Sequence, residues 1–382
     1  MSRLTRAGAR ALGALVRGLL RKDAAGDDGA VAVLVGVLLA GGVLLGSAAL
    51  VLDAGQLHAE REELQSGADA AASAIAERCA RTNGACGAVE EAARRYAGAN
   101  AKDGTSAVGA VCGPSGRTDL PACPPASSNL TACLGDPPVA NGWVEVRTHT
   151  RTPDGTTLLP PLFAATLLGN ERYTGSTVRA CARAAWGPPR RARGLGVTVS
   201  LCEWQSATAG GASFAPAPPQ TPPASAEVVL RLHTTAPTRC AAGPSGGDSP
   251  GGFGWLDDLD GSCSTVVSAD GAYGGTPGVA PSRACRRVVA AARADRRVTY
   301  LPIFRSVGGT GQNTTYTIAG FAPFVITGYG MPGASAPSSL TGARHCSGSD
   351  KCLYGYFTRA LVPAGGQIGG PDLGATIVTL VG

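Results

Sequence analysis

The chain has 382 residues, 55 Gly and 27 Pro against 5% aromatic and 16% charged residues, and a net charge of +6. Residues 1–28 set Arg3, Arg6, Arg10, Arg17, Arg21 and Lys22 against Asp23, Asp27 and Asp28, which is +3, half of that surplus, and leaves the rest nearly neutral for its size. A phosphate-binding footprint is excluded, so no nucleic-acid partner is expected, and the Gly and Pro content implies a core surrounded by much loop.

In chain order, the first element is apolar. Ala30–Leu52 runs without a charge, and about 20 apolar residues cross a hydrocarbon core as a helix. The basic residues all precede the run, which places the N-terminus in the cytoplasm and the remainder outside. A cleavable signal peptide is the competing reading, with Ser47, Ala48 and Ala49 as small residues near a cut, but this run is longer than such peptides carry. The reading is a retained single-pass anchor with the lipid bilayer as its partner.

The helical pattern continues from Asp53 to Ala80. Leu57, Leu64, Ala68, Ala71 and Ile75 recur at helical spacing, and Glu60, Arg61, Glu62 and Glu63 fall largely on other faces. This small-residue stripe suits close packing against another subunit or against the chain's own domain, and the sequence leaves both open. A second helix is expected over Cys86–Ala101, with Ala88, Val89, Ala92, Ala93 and Tyr96 on one face. Strands are expected at Ala107–Val111, Trp143–Thr148 and Tyr173–Trp186, and a short helix at Leu162–Leu168 after Pro160-Pro161. Gly187-Pro188-Pro189-Arg190-Arg191 reads as a boundary. Beyond it, strands are expected at Leu195–Leu201, Val228–His233, Val298–Phe304, Tyr316–Ile326, Leu353–Leu361 and Ala375–Val381, with one helix near Ser282–Arg293.

All twelve cysteines follow the apolar run: Cys79, Cys86, Cys112, Cys123, Cys133, Cys181, Cys202, Cys240, Cys263, Cys285, Cys346 and Cys352. Their even number and one-sided placement fit disulfides in an oxidising compartment. No C-x2-C pair occurs and the four His are scattered, so zinc is not expected. Proximity suggests the pairs Cys346–Cys352, Cys79–Cys86 and Cys240–Cys263.

Three patterns imitate catalytic or metal chemistry. Gly243-Pro244-Ser245-Gly246-Gly247 matches G-x-S-x-G but lacks the strand before and the helix after that a nucleophile elbow needs. Asp260-Gly261-Ser262-Cys263-Ser264 resembles the cation site of von Willebrand A domains but follows no buried strand. Asp257, Asp258 and Asp260 read as a solvated turn, and Trp255 beside them as a core residue. No catalytic, cofactor-binding or metal-ligating residue is expected, and no enzyme.

The stretch from Asp28 to Ala76 resembles the Tad/Flp pilus-assembly proteins of the TadE/TadG type, through Gly29, Asp53, Gly55, Arg61, Leu64, Gln65, Ala68, Asp69, Ala70 and Ala71. Leu159–Trp186 is similar to the downstream part of such pilin-like proteins, and the β-rich half to an extension in actinobacterial members. Pilins cut by a prepilin peptidase carry a Glu where this chain has Leu34, which favours the uncut, TadG-like role. The implied fold class is α+β: a transmembrane helix continuing into a pilin-like α+β unit, followed by a β-rich disulfide-bonded domain. The expected domains are a cytoplasmic basic segment 1–28, a transmembrane helix 29–52, a Tad-like helix with a small extracytoplasmic domain 53–187, and a β-rich domain 188–382. The implied function is a non-enzymatic accessory protein of a Tad-type pilus or secretion apparatus, touching other pilus membrane subunits through the N-terminal helix. The alternative is a cell-surface adhesin that binds an unidentified surface ligand through its β-rich half.

Overall fold

The computed structural model describes residues 30–40, 43–82, 84–114, 116, 118–127, 130, 132–136, 140, 142–163, 174–233, 240, 254–257, 261–276, 280–309, 313–346, 348, 350–363 and 365–381. Met1–His58 with Pro160–Ser176 form one compact unit, and Ala59–Leu159 with Thr177–Gly382 form another.

The apolar run is shared between helix α1 (Ala30–Ala40) and the first part of helix α2 (Val43–Arg81). Among the described residues no helix is long and apolar enough to cross a membrane, so the expected transmembrane helix over 29–52 is not observed as such. Gly41 and Gly42, between the two helices, lie outside the described residues. Val31, Leu34, Leu50, Val51 and Leu52 are more than half exposed.

In the second unit, α2 and helix α3 (Val89–Asn100) lie on one face of a sheet. That sheet contains β1 (Ala107–Cys112), β2 (Gly142–His149), β3 (Arg179–Gly187), β15 (Ala375–Leu380) and β13 (Ala360–Leu361), in the order β1-β2-β3-β15-β13. The interface is built from small residues on both sides. Ala68, Ala71, Ala72, Ile75 and Ala76 of α2 are at most 1% exposed, and they meet Val144, Val146, Ala182 and Ala184 of the sheet. The alanine stripe is therefore buried in the chain's own core, and close packing against another subunit is not its use. The C-terminal strand β15 pairs with β3, Leu380 opposite Ala184. The chain thus returns across the expected boundary at 187/188 to complete the first sheet. β3 ends at Gly187 and β4 (Pro189–Leu195) begins two residues later, so strand runs on both sides of Pro188 in the stretch expected as a boundary.

The larger sheet has the path β5-β9-β10-β12-β6, comprising β5 (Val199–Ser200), β9 (Val298–Gly308), β10 (Thr315–Met331), β12 (Lys351–Phe357) and β6 (Val228–His233). β8 (Ala272–Gly274) and β11 (Ala334–Ala336) also pair with β10. A third, small sheet joins β14 (Gln367–Ile368), β4 and β7 (Ser264–Ser268). From Tyr316 onward β10 is almost wholly buried, with Ile318, Phe321, Phe324 and Ile326 nearly inaccessible. Helices α4 (Leu201–Thr208) and α5 (Arg283–Ala294) contribute to the main core with Trp204, Cys285, Val289 and Ala292. The α5 helix was legible: its N-cap Ser282 accepts from the Cys285 N–H at 3.1 Å. The strand expected at Leu195–Leu201 becomes the end of β4, the short β5 and then α4. The signal for that helix is Ser200-Leu201-Cys202-Glu203, in which Ser200 Oγ accepts the Glu203 N–H at 3.1 Å.

The cysteines form six disulfides, none remaining free. Cys79–Cys86 and Cys346–Cys352 pair as proximity suggests, joined by Cys112–Cys123 and Cys133–Cys181. Cys240 and Cys263 do not pair: Cys240 bonds Cys202 and Cys263 bonds Cys285, because the fold brings the starts of α4 and α5 to them.

Candidate functional site

The residues that carry the family-like pattern have local structural jobs. Asp53 is 8% exposed, and its carboxylate accepts the N–H of Leu162 at 2.7 Å and of Phe163 at 3.1 Å. Leu64 is 3% exposed, and its carbonyl accepts the Thr148 hydroxyl at 3.0 Å, which ties α2 to β2. Gln65 donates to Asp69 Oδ1 at 2.9 Å and to the Cys181 carbonyl at 3.0 Å, which ties α2 to β3. Two residues on, a Cβ added to Gly67 would stand 3.0 Å from Ala97 Cα, so glycine there admits α3. Gly55 has open space around it and Gly29 lies outside the described residues. Residues 29–77 match the model of the putative Flp pilus-assembly TadE/G-like family. No curated protein and no solved structure matches the chain. The TadE/G-like segment thus ends four residues before α2 does; its Leu64 and Gln65 bond α2 to the sheet, and Asp69 holds the Gln65 side chain.

The opposite face of that sheet holds an ionic cluster. Glu145 is 1% exposed, and its two oxygens meet Arg147 Nε at 2.7 Å and Arg183 Nε at 2.6 Å. Arg183 also donates to the carbonyls of Cys133 and Gly135, both at 2.7 Å, in the loop that the Cys133–Cys181 disulfide holds down. Glu145 lies close to the sulfurs of Cys112, Cys123, Cys133 and Cys181, an arrangement with metal-like spacing. The sulfurs are in disulfides and the carboxylate is taken by two guanidinium groups, so this donor set does not suit a metal.

Glu227 organises a second polar cluster. Its side chain is 3% exposed and accepts from the hydroxyls of Thr327, Ser338 and Thr341 and from His345 Nε2, the last at 2.8 Å. Burial pushes its carboxyl up, but the hydrogen bonds from Ser338, Thr327, His345 and Thr341 outweigh that and the net effect lowers it.

A cleft of about 540 Å³ opens beside Arg81, Trp186, Arg359, Leu361, Asp372 and Thr376. Arg359 pairs with Asp372 at 3.3 Å and lies 4.6 Å over the Phe214 ring. Tyr300 donates its hydroxyl to the Leu361 carbonyl, and burial pushes its phenol up to about 12, so it remains a neutral donor. Among the described residues, the polar side chains that line it are Arg81, Arg359, Asp372 and Thr376, besides the Trp186 indole.

Of the patterns that imitate chemistry, residues 243–247 and Asp258 and Asp260 lie outside the described residues. Asp257 accepts the Thr276 hydroxyl at 3.1 Å, as a turn residue does. Cys263 is bonded to Cys285, and β7 starts only at Ser264. Trp255 is 4% exposed in the main core, where the sequence puts it.

Proposed function

We propose that the protein is a non-enzymatic accessory component of a Tad (Flp) type pilus or secretion apparatus, anchored in the membrane by residues 30–52 with its disulfide-bonded body outside. The match of residues 29–77 to the TadE/G-like pilus-assembly family carries the reading. The uncharged run supports the anchor. In hydrocarbon an unpaired peptide group costs several kcal/mol, so a chain that crosses a bilayer does so as a helix. Six disulfides support an oxidising, extracytoplasmic location for the body.

With the alanine stripe consumed internally, other pilus subunits would meet the exposed apolar residues of 31–37 and 50–52 inside the bilayer. The test is removal of the chain from a piliated cell, followed by complementation with the full chain or with residues 1–187. Loss of pili restored only by the full chain is expected. Undiminished piliation without the chain refutes the reading. Normal pili with lost surface attachment in the shortened form would instead support an adhesin.

A further inference from the structure

Leu162 and Phe163 are large apolar residues 57% and 45% exposed, side by side in a loop. Their backbone is not free to wander. Both N–H groups end on Asp53, the first charged residue after the apolar run, at 2.7 Å for Leu162 and at 3.1 and 3.3 Å to the two oxygens for Phe163. Asp53 is itself 8% exposed, and Ala49, one turn earlier on the same helix face, is 7% exposed. The neighbouring Leu50, Val51 and Leu52 stay 52–69% exposed. The carboxylate therefore holds two apolar side chains level with the end of the apolar run.

From this geometry we infer that the loop at Pro160–Phe163 is a second membrane contact, with Leu162 and Phe163 seated in the outer lipid interface beside the end of the anchor. The inference rests on the membrane-anchor reading above. The occupant is lipid because the two side chains continue the exposed apolar surface of Leu50–Leu52 at the depth where chain meets headgroup. Apolar and aromatic side chains at that level are favoured by burial beneath the headgroups. Asp53 is then a positioning residue. It carries no lipid contact of its own and sets the depth of the loop through two backbone hydrogen bonds.

The test uses the full chain reconstituted in phosphatidylcholine–phosphatidylglycerol vesicles carrying lipids brominated at a shallow or a deep position. Single replacements Phe163→Trp, Val51→Trp and Leu380→Trp report on the loop, the anchor and an exposed apolar residue of the other unit; the native tryptophans are at most 9% exposed. The expected result is strong quenching of Val51→Trp, quenching of Phe163→Trp that favours the shallow bromines, and none for Leu380→Trp. Adding Asp53→Ala should remove most quenching at position 163 and leave that at position 51. Quenching at 51 without quenching at 163 overturns the inference and leaves the anchor intact. Equal quenching at 163 and 380 overturns it as general adsorption, and no quenching at 51 overturns both readings.

Discussion

Glu145 offers the sharpest test of how the first sheet is held. Glu145→Gln preserves shape and one acceptor oxygen but removes the charge that balances Arg147 and Arg183. Glu145 is 1% exposed, Arg183 9% and Arg147 14%, so water compensates little of the loss. Removing one partner of a buried pair costs about 3–5 kcal/mol. The lower end applies here, because Arg183 retains the Cys133 and Gly135 carbonyls and Arg147 that of Pro125. At about 2–4 °C per kcal/mol for a unit of a few hundred residues, the midpoint should fall by about 6–12 °C. Thermal unfolding under oxidising conditions reads this directly. Trp143, whose ring lies 5.9 Å from the Arg183 guanidinium, serves as a local fluorescent reporter. Because the two groups share one interaction, Glu145→Gln with Arg183→Met should cost at least 1 kcal/mol less than the sum of the single changes, an order of coupling seen for contacting pairs. A single change within about 0.5 kcal/mol of the parent, or strict additivity, would refute the claim that this pair is desolvated and coupled.

Three further outcomes are expected. Ala72→Leu adds a branched side chain where α2 presses on the sheet and should cost about 1–3 kcal/mol in the isolated chain; an unchanged isolated chain with lost complex formation would return the stripe to an intersubunit role. Because the folded Glu227 carboxyl is held below its ordinary value, its contribution is present above pH about 4.5 and is lost as pH falls through the lowered value. Glu227→Gln should therefore be less stable at neutral pH and show a flatter acid limb, and parallel limbs in pH-dependent urea titrations would sink that assignment. Replacing Cys263 and Cys285 together by Ser opens a loop of 22 residues and should cost about 3 kcal/mol, read as a lower urea midpoint, while a retained midpoint would mean the denatured chain is not constrained by this link.

Much of this protein was decided locally and is visible in the sequence. The α2 stripe repeats at helical spacing, Ser282 caps α5, and alternation marks β2 and β3, because each depends on neighbours a few residues apart. The TadE/G-like pattern is equally local, lying within α1 and α2. The cysteines' placement beyond the apolar run declares their chemistry without declaring their partners. Tertiary structure alone decided what each surface meets. The same alanine stripe would serve an intersubunit contact or an internal one, and only the Val144, Val146, Ala182 and Ala184 layer makes it internal. The return of β15 to β3, the pairing of Cys202 with Cys240, and the meeting of Glu145 with Arg183 across a strand pair all depend on register between distant segments. Nothing in the period of either segment encodes that register. It is set when burying both apolar faces at once leaves one arrangement in which the charges and sulfurs also find partners.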